Sequence, residues 1–470
     1  MTLSKATPEF LNALEAALPA GVVTSASDSY LTEERGLVQG TAACLARPRS
    51  VEEAATIVRL CNQYRVGLMP YAGGTGLTGG QVANLDPAPV ILSVERMAAV
   101  RDVDTANNTI TVEAGVILEN VQKAADDVDR LFPLSLASEG SCCIGGNLAT
   151  NAGGTQVLRY GNARDLCLGL EAVLPDGSIY RGLTGLRKDN TGFDIRNLLV
   201  GSEGALAVIT AATLKLYAKP KETSTALAVV ASPKAAVELL GRMQSALDGL
   251  VSGFELIHGQ GLEFLAETMP DVRQPFKLRH EWMVLIEVAG GQGACLDTRL
   301  MSTLENAIET GLVEDVLIAQ NTQQAREFWH LRESIPLANK IVGGISSHDI
   351  SVPISALPEF IQAGFEAIAK LGDLRVNCFG HVGDGNLHYN IYPAKGKNRS
   401  DLMHMQPAII EVIYDLVHSY GGSFSAEHGI GRLKVDALEK YSDPAKLATI
   451  RTLKTALDPN GIMNPGVIVR

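Results

Sequence analysis

The sequence is poor in the features that mark secreted, membrane-spanning and nucleic-acid-binding proteins. Its seven cysteines are scattered, odd in number and form no Cys-x-x-Cys pair, which argues against a disulfide framework and a cysteine zinc site. No apolar run is long enough to span a membrane, and the N-terminus lacks the pattern of a signal peptide. The net charge of −12 argues against nucleic acid or an anionic membrane surface as the main partner. We therefore expect a cytoplasmic protein, with peripheral association at the inner membrane as the alternative.

The length of 470 residues exceeds one typical hydrophobic core, so two or three domains are expected. The first region mixes short helices with antiparallel strands and lacks the βαβ rhythm of a doubly wound sheet. The polar stretch 219–224 predicts a boundary near Pro220. Strand and helix patterns beyond it indicate a second α+β domain.

A glycine-rich stretch, Pro70–Gly80, stands out in the first region. Five of its eleven residues are glycine, and apolar segments flank it closely. Such a run can turn backbone N–H groups toward one point and bind an anion, which predicts the phosphate grip of a nucleotide cofactor. A flexible surface linker is the alternative. The stretch also matches G-x-G-x-x-G, but no helical pattern follows it, so a Rossmann site is not expected.

Two further stretches, Ser138–Gly154 and Gly201–Gly204, are rich in Gly, Ser, Thr or Asn. Their backbone and side chains can hydrogen-bond a long polar ligand. Three such loops in one region predict that an extended ligand runs through it.

A second pattern lies in Arg375–Tyr392. Asp384 and Gly385 stand between two apolar runs, which predicts a tight hairpin. With those two as the central turn residues, His381 would lie directly opposite His388, close enough for both to bind one metal ion. Asn390 would share their face of the sheet. Two histidines on a polar sheet face, without metal, are the alternative.

A third metal ligand is expected from the stretch 423–433, which places Glu427 and His428 among small residues. Two histidines and one carboxylate with an open position form a common catalytic zinc set. His428 would then be free to act as a base. A solvated loop is the alternative for this stretch.

The three glycine-rich loops, with Val208-Ile209-Thr210 after the third, resemble the FAD-binding domain of vanillyl-alcohol-oxidase-type flavoenzymes. The resemblance implies that the first loop holds the FAD pyrophosphate and that the second follows the ribityl chain and isoalloxazine. Some members attach flavin covalently through a histidine; here no histidine precedes His258, so non-covalent FAD is expected. The FAD contacts that the resemblance implies are Pro70, Gly73, Gly74, Thr75, Gly76, Leu77, Thr78, Ser138, Gly140, Ser141, Ile144, Gly145, Gly146, Asn147, Thr150, Asn151, Ala152, Gly154, Glu203, Gly204, Val208, Ile209 and Asn464.

The stretches Gly380–His388, Ser425–Gly431 and Leu457–Gly466 resemble the D-2-hydroxyacid dehydrogenase branch of these flavoproteins, which includes D-lactate, glycolate and D-2-hydroxyglutarate dehydrogenases. The implied fold is α+β, with a two-part FAD-binding domain (1–220), a cap domain with an antiparallel sheet (221–415) and a C-terminal helical segment returning to the FAD domain (416–470). The implied roles are metal ligands for His381, His388 and Glu427, catalytic base for His428, and substrate contacts for Arg332 and Asn390.

One departure from the pattern concerns the substrate. In 2-hydroxyglutarate dehydrogenases a Thr follows the substrate-binding Arg by one helical turn, and a Lys precedes the Asp of the next strand. Here those places are Pro336 and Ser347, which puts binding of the distal carboxylate in question. His348 is expected to substitute, with Lys340 as the alternative.

The predicted function is therefore an FAD- and metal-dependent dehydrogenase, the metal most simply zinc. It would oxidise D-2-hydroxyglutarate or a related D-2-hydroxy acid, with hydride passing to flavin N5. Electrons would pass on to an electron-transfer flavoprotein or quinone. D-lactate or glycolate dehydrogenase is the nearer alternative, and a His/His/Glu metal hydrolase is the alternative of another class. Whether the protein forms a homodimer stays open.

Overall fold

The computed structural model describes residues 2–470 and combines helices with mostly antiparallel sheets. Its strands are β1 Val23–Thr24, β2 Cys44–Ala46, β3 Leu68–Tyr71, β4 Val90–Ser93, β5 Val100–Asp104, β6 Thr109–Glu113, β7 Arg130–Leu131, β8 Cys167–Val173, β9 Ile179–Gly182, β10 Val208–Lys215, β11 Tyr217–Ala218, β12 Glu222–Val230, β13 Val251–His258, β14 Trp282–Gly290, β15 Val313–Ile318, β16 Ser346–Ser351, β17 Leu374–His381 and β18 Asn386–Pro393. Its α-helices are α1 Pro8–Ala17, α2 Asp28–Leu31, α3 Val51–Tyr64, α4 Leu118–Asp126, α5 Ile144–Ala149, α6 Val157–Tyr160, α7 Ala163–Leu166, α8 Ile195–Leu199, α9 Pro233–Leu247, α10 Gly259–Thr268, α11 Leu296–Glu309, α12 Thr322–Val342, α13 Leu357–Ala369, α14 Arg399–Leu402, α15 Gln406–Ser419, α16 Val435–Tyr441 and α17 Pro444–Leu457.

The chain divides into two compact units. The first, here called the cradle unit, contains the chain up to Gly153, Gly161–Lys219 and His428–Arg470. The second, here called the sheet unit, contains Gly154–Tyr160 and Pro220–Glu427. The prediction ended the middle domain at residue 415, which would cut α15. The structure keeps α15 whole within the sheet unit, because its buried side chains Ile409, Ile413 and Val417 hold it there beside β16.

The cradle unit contains a four-stranded sheet, β1-β2-β4-β3, and a five-stranded antiparallel sheet, β5-β6-β10-β8-β9. Helix α3 leads into the first of these. Ser50 Oγ accepts a hydrogen bond from Glu53 N at 3.2 Å and so caps the start of α3, and Arg65, with φ of 56°, ends it. The chain then runs through β3, parallel to β4, and enters the glycine-rich loop from a buried strand.

The sheet unit is built on one antiparallel sheet of seven strands in the order β15-β12-β14-β13-β17-β18-β16. Helices α10 and α12 pack on one face, where Leu262, Leu331 and Ile335 join a cluster with Phe379 and Tyr392. Apolar side chains from both layers are removed from water there, which is the main force that holds α12 on the sheet.

The length and apolar character of the helices determine whether any of them could span a membrane. Among residues 2–470, no helix is both long and apolar enough to cross a bilayer. The predicted cytoplasmic location stays a prediction.

Candidate functional site

The glycine-rich loop of the cradle unit needs its glycines for conformation and for space. Gly73 has φ of 78°, in the left-handed region, and a Cβ added there would lie 2.7 Å from Ser141 O. A Cβ on Gly146 would lie 2.9 Å from Ala72 O. The first two glycine-rich loops therefore contact each other through backbone, and side chains would push them apart.

The hydrogen bonds of this loop leave its amides available. Gln81 Nε2 donates to two loop carbonyls, at 3.0 and 2.6 Å, and Arg432 Nη1 donates to two more, at 2.6 and 3.0 Å. Arg35 Nη2 donates to a fifth at 2.6 Å. Within residues 2–470, no amide of Gly73–Gly80 donates a hydrogen bond. The loop carbonyls accept hydrogen bonds from side chains, whereas its amides donate none within the protein. The loop therefore presents N–H donors of the kind that bind a pyrophosphate.

The side chains around the loop divide into two groups. Asn147, 5% exposed, has an Nδ2 that lacks an acceptor in the described chain apart from the weak acceptor Cys142 Sγ. Such a buried donor suits a polar ligand. Glu203 and Asn464 are instead engaged within the protein. The Glu203 carboxylate accepts from the amides of Ile430 and Gly431 at 2.8 and 2.7 Å, and Asn464 Nδ2 donates to Glu203 O at 2.7 Å.

The other predicted FAD contacts lie where the three loops run. Those of the first loop follow β3, those of the second surround α5, and Val208 and Ile209 open β10. Gly154 is the exception, because the chain enters the sheet unit at this residue. The roles of these residues as FAD contacts stay predictions.

The hairpin of the sheet unit carries the two histidines in a register different from the predicted one. Phe379, not His381, lies opposite His388, so the predicted pairing of the two histidines was wrong by two residues. The connection has four residues, Val382–Gly385, because β17 ends at His381 and β18 begins at Asn386. A shift of two keeps the same face of a strand. The imidazoles are therefore diagonal neighbours with ring centroids 5.6 Å apart.

Glu427 completes the cluster. One ligand atom each from His381, His388 and Glu427 lies within 4.8 Å of the others, and His381 Nε2 is 3.6 Å from Glu427 Oε1. Two imidazoles and a carboxylate fit a divalent ion with an open position, as in catalytic zinc sites. Burial first, and then the charges of Asp349 and Asp384, raise the pKa of Glu427 above its ordinary value despite the attraction of His381. A bound cation would offset this crowding of carboxylates.

Two acidic residues behind the cluster were not predicted from the sequence. Glu255, on β13, lies directly opposite His381 and bonds its Nδ1 through Oε1 at 2.6 Å. Asp349, on β16, lies opposite His388, and its Oδ2 accepts a hydrogen bond from Glu427 N at 2.9 Å. Partners of this kind fix the tautomer and the orientation of metal ligands. Only strand pairing reveals them, because each is far from its partner in sequence.

Arg332 lies on α12 against the same face. It is 4% exposed; its guanidinium is 4.8 Å from the Phe379 ring centroid, and Nη2 is 2.8 Å from Glu255 Oε2. Its Nε has no hydrogen-bond partner among residues 2–470. A fixed guanidinium with a remaining donor can bind a carboxylate. Asn390 shares this face with His388, as predicted. It lies opposite Asn377.

His348 does not join this cluster, and the prediction that it contacts substrate beside Arg332 was wrong. It pairs with Tyr389, so its side chain lies on the other face of the sheet from His388. Its Nε2 bonds Ser346 Oγ at 2.9 Å, and its ring is 5.7 Å from that of Tyr414. The strand alternation gives the place beside His388 to Asp349.

His428 directly follows Glu427, where the chain passes from the sheet unit into the cradle unit. Its carbonyl accepts a hydrogen bond from Thr78 Oγ1 at 3.1 Å. The residue proposed as base is thus tied through its backbone to the glycine-rich loop.

Two stretches that together make up most of the chain match known protein families. Residues 42–182 match the family described as FAD binding domain, and residues 219–468 match that described as FAD linked oxidases, C-terminal domain. The chain belongs to the FAD-linked oxidase family. It is therefore a flavoprotein oxidoreductase, which confirms the predicted enzyme class and FAD as the cofactor.

Relatives of this FAD-linked oxidase carry names of two hydroxy-acid activities. It is 35% identical over 475 residues to a protein from Danio rerio named D-2-hydroxyglutarate dehydrogenase, mitochondrial, and the alignment covers 99% of this chain and 86% of the relative. It is also 35% identical over 424 residues to a protein from Xanthomonas citri named D-2-hydroxyglutarate dehydrogenase, with 90% of this chain and 88% of the relative covered. A relative from Schizosaccharomyces pombe, 32% identical over 93% of this chain and 84% of its own, bears a D-lactate dehydrogenase name.

Solved structures confirm the predicted fold of this FAD-linked oxidase. p-Cresol methylhydroxylase superposes with a TM-score of 0.78 at 17% identity, covering 98% of this chain and 97% of its own. An alkyldihydroxyacetonephosphate synthase gives 0.74 at 19% identity, covering 99% and 86%. At such identities the likeness shows the fold alone, which is the predicted α+β fold of the vanillyl-alcohol-oxidase type.

Proposed function

We propose that this protein is an FAD- and metal-dependent dehydrogenase that oxidises a D-2-hydroxy acid to the 2-oxo acid. The observation that carries the proposal is a cluster at one sheet face, where His381 and His388 of the hairpin meet Glu427 of a later loop, beside the buried Arg332 of α12. This set offers a cation site and a carboxylate anchor side by side. A 2-hydroxy acid has the two groups that such a pair would bind.

Arg332 binds the substrate carboxylate in this proposal. Its guanidinium is held by the Phe379 ring and by Glu255, so little side-chain freedom remains to be lost on binding. The partnerless Nε is a donor that a carboxylate oxygen would satisfy. At best, orientation of this kind lowers a reaction barrier by about 7–11 kcal/mol.

His381, His388 and Glu427 would hold the divalent ion, and we keep zinc as its proposed identity. When bound, the ion would lower the pKa of the substrate's 2-hydroxyl, and FAD would accept the hydride from C2. His428 takes the hydroxyl proton on an imidazole nitrogen. Its support is its place in the chain, immediately after a metal ligand and tied to Thr78 by its carbonyl.

Asn390 and two exposed residues bear on the identity of the acid. Ser347 lies opposite Asn390, and Pro336 lies one turn beyond Arg332 on α12; both are exposed, and neither carries a charge. The names of the relatives favour D-2-hydroxyglutarate, whereas these two side chains provide no cation for its second carboxylate. D-lactate or glycolate is therefore the second candidate.

The electron acceptor we propose is a separate electron-transfer flavoprotein or quinone, in keeping with the dehydrogenase names of the relatives. The alternative of a metal hydrolase has lost its support, because it gives the FAD-binding domain at residues 42–182 no role.

The test is anaerobic titration of the FAD-loaded protein with D-2-hydroxyglutarate, D-malate, D-lactate and glycolate in turn. We expect one of them to bleach the flavin absorbance, and the L-enantiomer of the active chiral acid to leave it unchanged. Flavin that none of the four reduces in metal-loaded protein would contradict the proposed substrate class.

A further inference from the structure

One carboxylate, that of Glu255, contacts both His381 of the proposed metal site and Arg332. Glu255 is fully buried on β13, and each of its oxygens has a different partner. Oε1 lies 2.6 Å from His381 Nδ1, and Oε2 lies 2.8 Å from Arg332 Nη2. The second contact is an ion pair whose angles depart from those of a hydrogen bond. Glu255 is thus the shared neighbour of a proposed metal ligand and the proposed substrate anchor.

The first contact determines what His381 can do. With Nδ1 protonated and donating to Glu255, the other ring nitrogen keeps its lone pair and remains the ligand atom. That atom, Nε2, is the one that lies 3.6 Å from Glu427. Carboxylates in this position orient the imidazole, and their removal typically weakens metal binding about 10- to 100-fold.

The second contact determines where Arg332 lies. The ion pair holds one end of the guanidinium while the Phe379 ring supports its plane. A carboxylate that bound the remaining donors would therefore meet them at a fixed distance from His381. A buried charge with no partner is costly, so Glu255 keeps the Arg332 guanidinium in place, while Glu255 itself is also held by its bond to His381.

A second, half-buried glutamate of the same sheet has a different set of partners. Glu287, on the neighbouring strand β14, bonds Ser252 Oγ at 2.9 Å and Trp329 Nε1 of α12 at 2.8 Å. Both are neutral donors. Burial raises the pKa of Glu287, whereas Glu255 has the Arg332 guanidinium beside it as a counter-charge.

We propose that Glu255 is a positioning residue that sets both the ligand orientation of His381 and the place of Arg332, and so fixes the spacing between the bound cation and the substrate carboxylate. The inference rests on the proposed function and adds a residue to which neither the family match nor the relatives' names assign a role.

The test measures metal affinity without turnover. FAD-loaded protein is freed of metal, and Co²⁺ binding is measured by its visible absorbance and by competition with a chelator. For Glu255→Gln we expect affinity to fall about 10- to 100-fold and the Co²⁺ spectrum to change. Glu287→Gln is the matched control, with the same substitution on the adjacent strand, and should bind Co²⁺ as the wild type does.

A second variant covers the case in which Glu255→Gln fails to fold because Arg332 loses its counter-charge. Arg332→Met alone should keep Co²⁺ affinity within about threefold, whereas Glu255→Gln with Arg332→Met should show the same 10- to 100-fold loss. With the 2-oxo acid product as probe in Co²⁺-loaded protein, Glu255→Gln should also raise its Kd, since Arg332 is displaced. Unchanged Co²⁺ affinity and spectrum in both Glu255 variants would overturn the inference while leaving the proposed function intact. A wild type that binds no Co²⁺ would overturn the metal site itself and the inference with it.

Discussion

The two candidate sites of this protein are built from different parts of the chain. In the cradle unit the loop Gly73–Gly80 offers backbone amides, and the side chains of Gln81 and Arg432 serve to hold its carbonyls. In the sheet unit the side chains themselves are the proposed ligands, and the backbone determines their spacing. A change of side chain should therefore act on the first site through shape and on the second through chemistry.

The difference also determines how each site depends on long-range order. The loop is continuous in sequence and is held in part by Gln81, five to seven residues away, although Arg432 also holds it from 352 and 353 residues away. The cluster depends on partners that are distant in sequence, because Glu255 and His381 are 126 residues apart. The predictions below separate the two sites, beginning with the largest expected effect.

Removal of a metal ligand should give the largest loss. For His388→Ala we expect turnover to fall by at least about 10⁴-fold, because the cation that stabilises developing negative charge is lost with its ligand. Flavin content, measured by absorbance, should stay near one per chain. His348→Ala is the matched control, on the adjacent strand but the opposite face, and should retain its metal. Full turnover in His388→Ala would remove the cluster from the mechanism.

Loss of the proposed base should come next. His428→Ala should lower turnover about 10²- to 10⁴-fold, the range expected when a general base is removed. Metal content and flavin content should both be preserved, as measured by elemental analysis and absorbance. A variant that still turned over at the wild-type rate would show that another group takes the proton.

A side chain in the loop should affect FAD and leave the metal unchanged. Gly73→Ala adds a Cβ that meets Ser141 O and forces alanine into a φ of 78°, so we expect FAD affinity to fall at least about thirtyfold. Gly21→Ala is the control: it has the same φ of 78° but nothing within 4 Å of its Cβ. Equal FAD affinities in the two variants would contradict the close approach of the loops.

Loss of a brace should have a smaller effect on the same site. Gln81→Glu removes the donor that holds two loop carbonyls, and at about 1 kcal/mol for each hydrogen bond we expect a five- to thirtyfold weaker Kd for FAD. Gln39→Glu adds the same charge at an exposed position of the unit and should bind FAD normally. An unchanged Kd in Gln81→Glu would show that the loop holds its shape without the brace.

A change at His258 is expected to have the smallest effect on either site. The centroid of its ring is 4.5 Å from that of Trp282 and 5.4 Å from that of Phe365. Burial lowers the pKa of His258 to about 4, below its unfolded value. Its contribution to stability is therefore present above pH 6.5 and is lost as the pH falls toward 4, by up to about 3 kcal/mol. In His258→Phe, denaturant unfolding should show a shallower loss over this range, with both sites intact. An identical pH dependence in the two proteins would contradict a buried neutral imidazole.

The sequence predicted the loop well because its signal is local. Glycines with positive φ, such as Gly73, Gly74 and Gly79 of this loop, leave a direct mark in the sequence. The proposed metal site was predicted from two histidines near a turn, a pattern that also lies within a short stretch.

What the sequence could not predict depends on pairing. Asp384 and Gly385 were taken as a two-residue turn, but the connection has four residues, and only the parity of the shift kept His381 and His388 on one face. The role given to His348 was wrong because one step along β16 reverses the face. Glu255 was missed because nothing near it in sequence indicates its partners.

The central claim is that the glycine-rich loop of the cradle unit and the cluster of His381, His388 and Glu427 in the sheet unit serve one reaction. The most direct test follows flavin absorbance after anaerobic mixing with the active D-2-hydroxy acid, first in protein freed of metal by a chelator and then after the ion is restored. We predict that the metal-free protein remains yellow and is reduced at least about 10³-fold more slowly, and that restored metal recovers the rate. Equal rates of flavin reduction with and without metal would contradict the account.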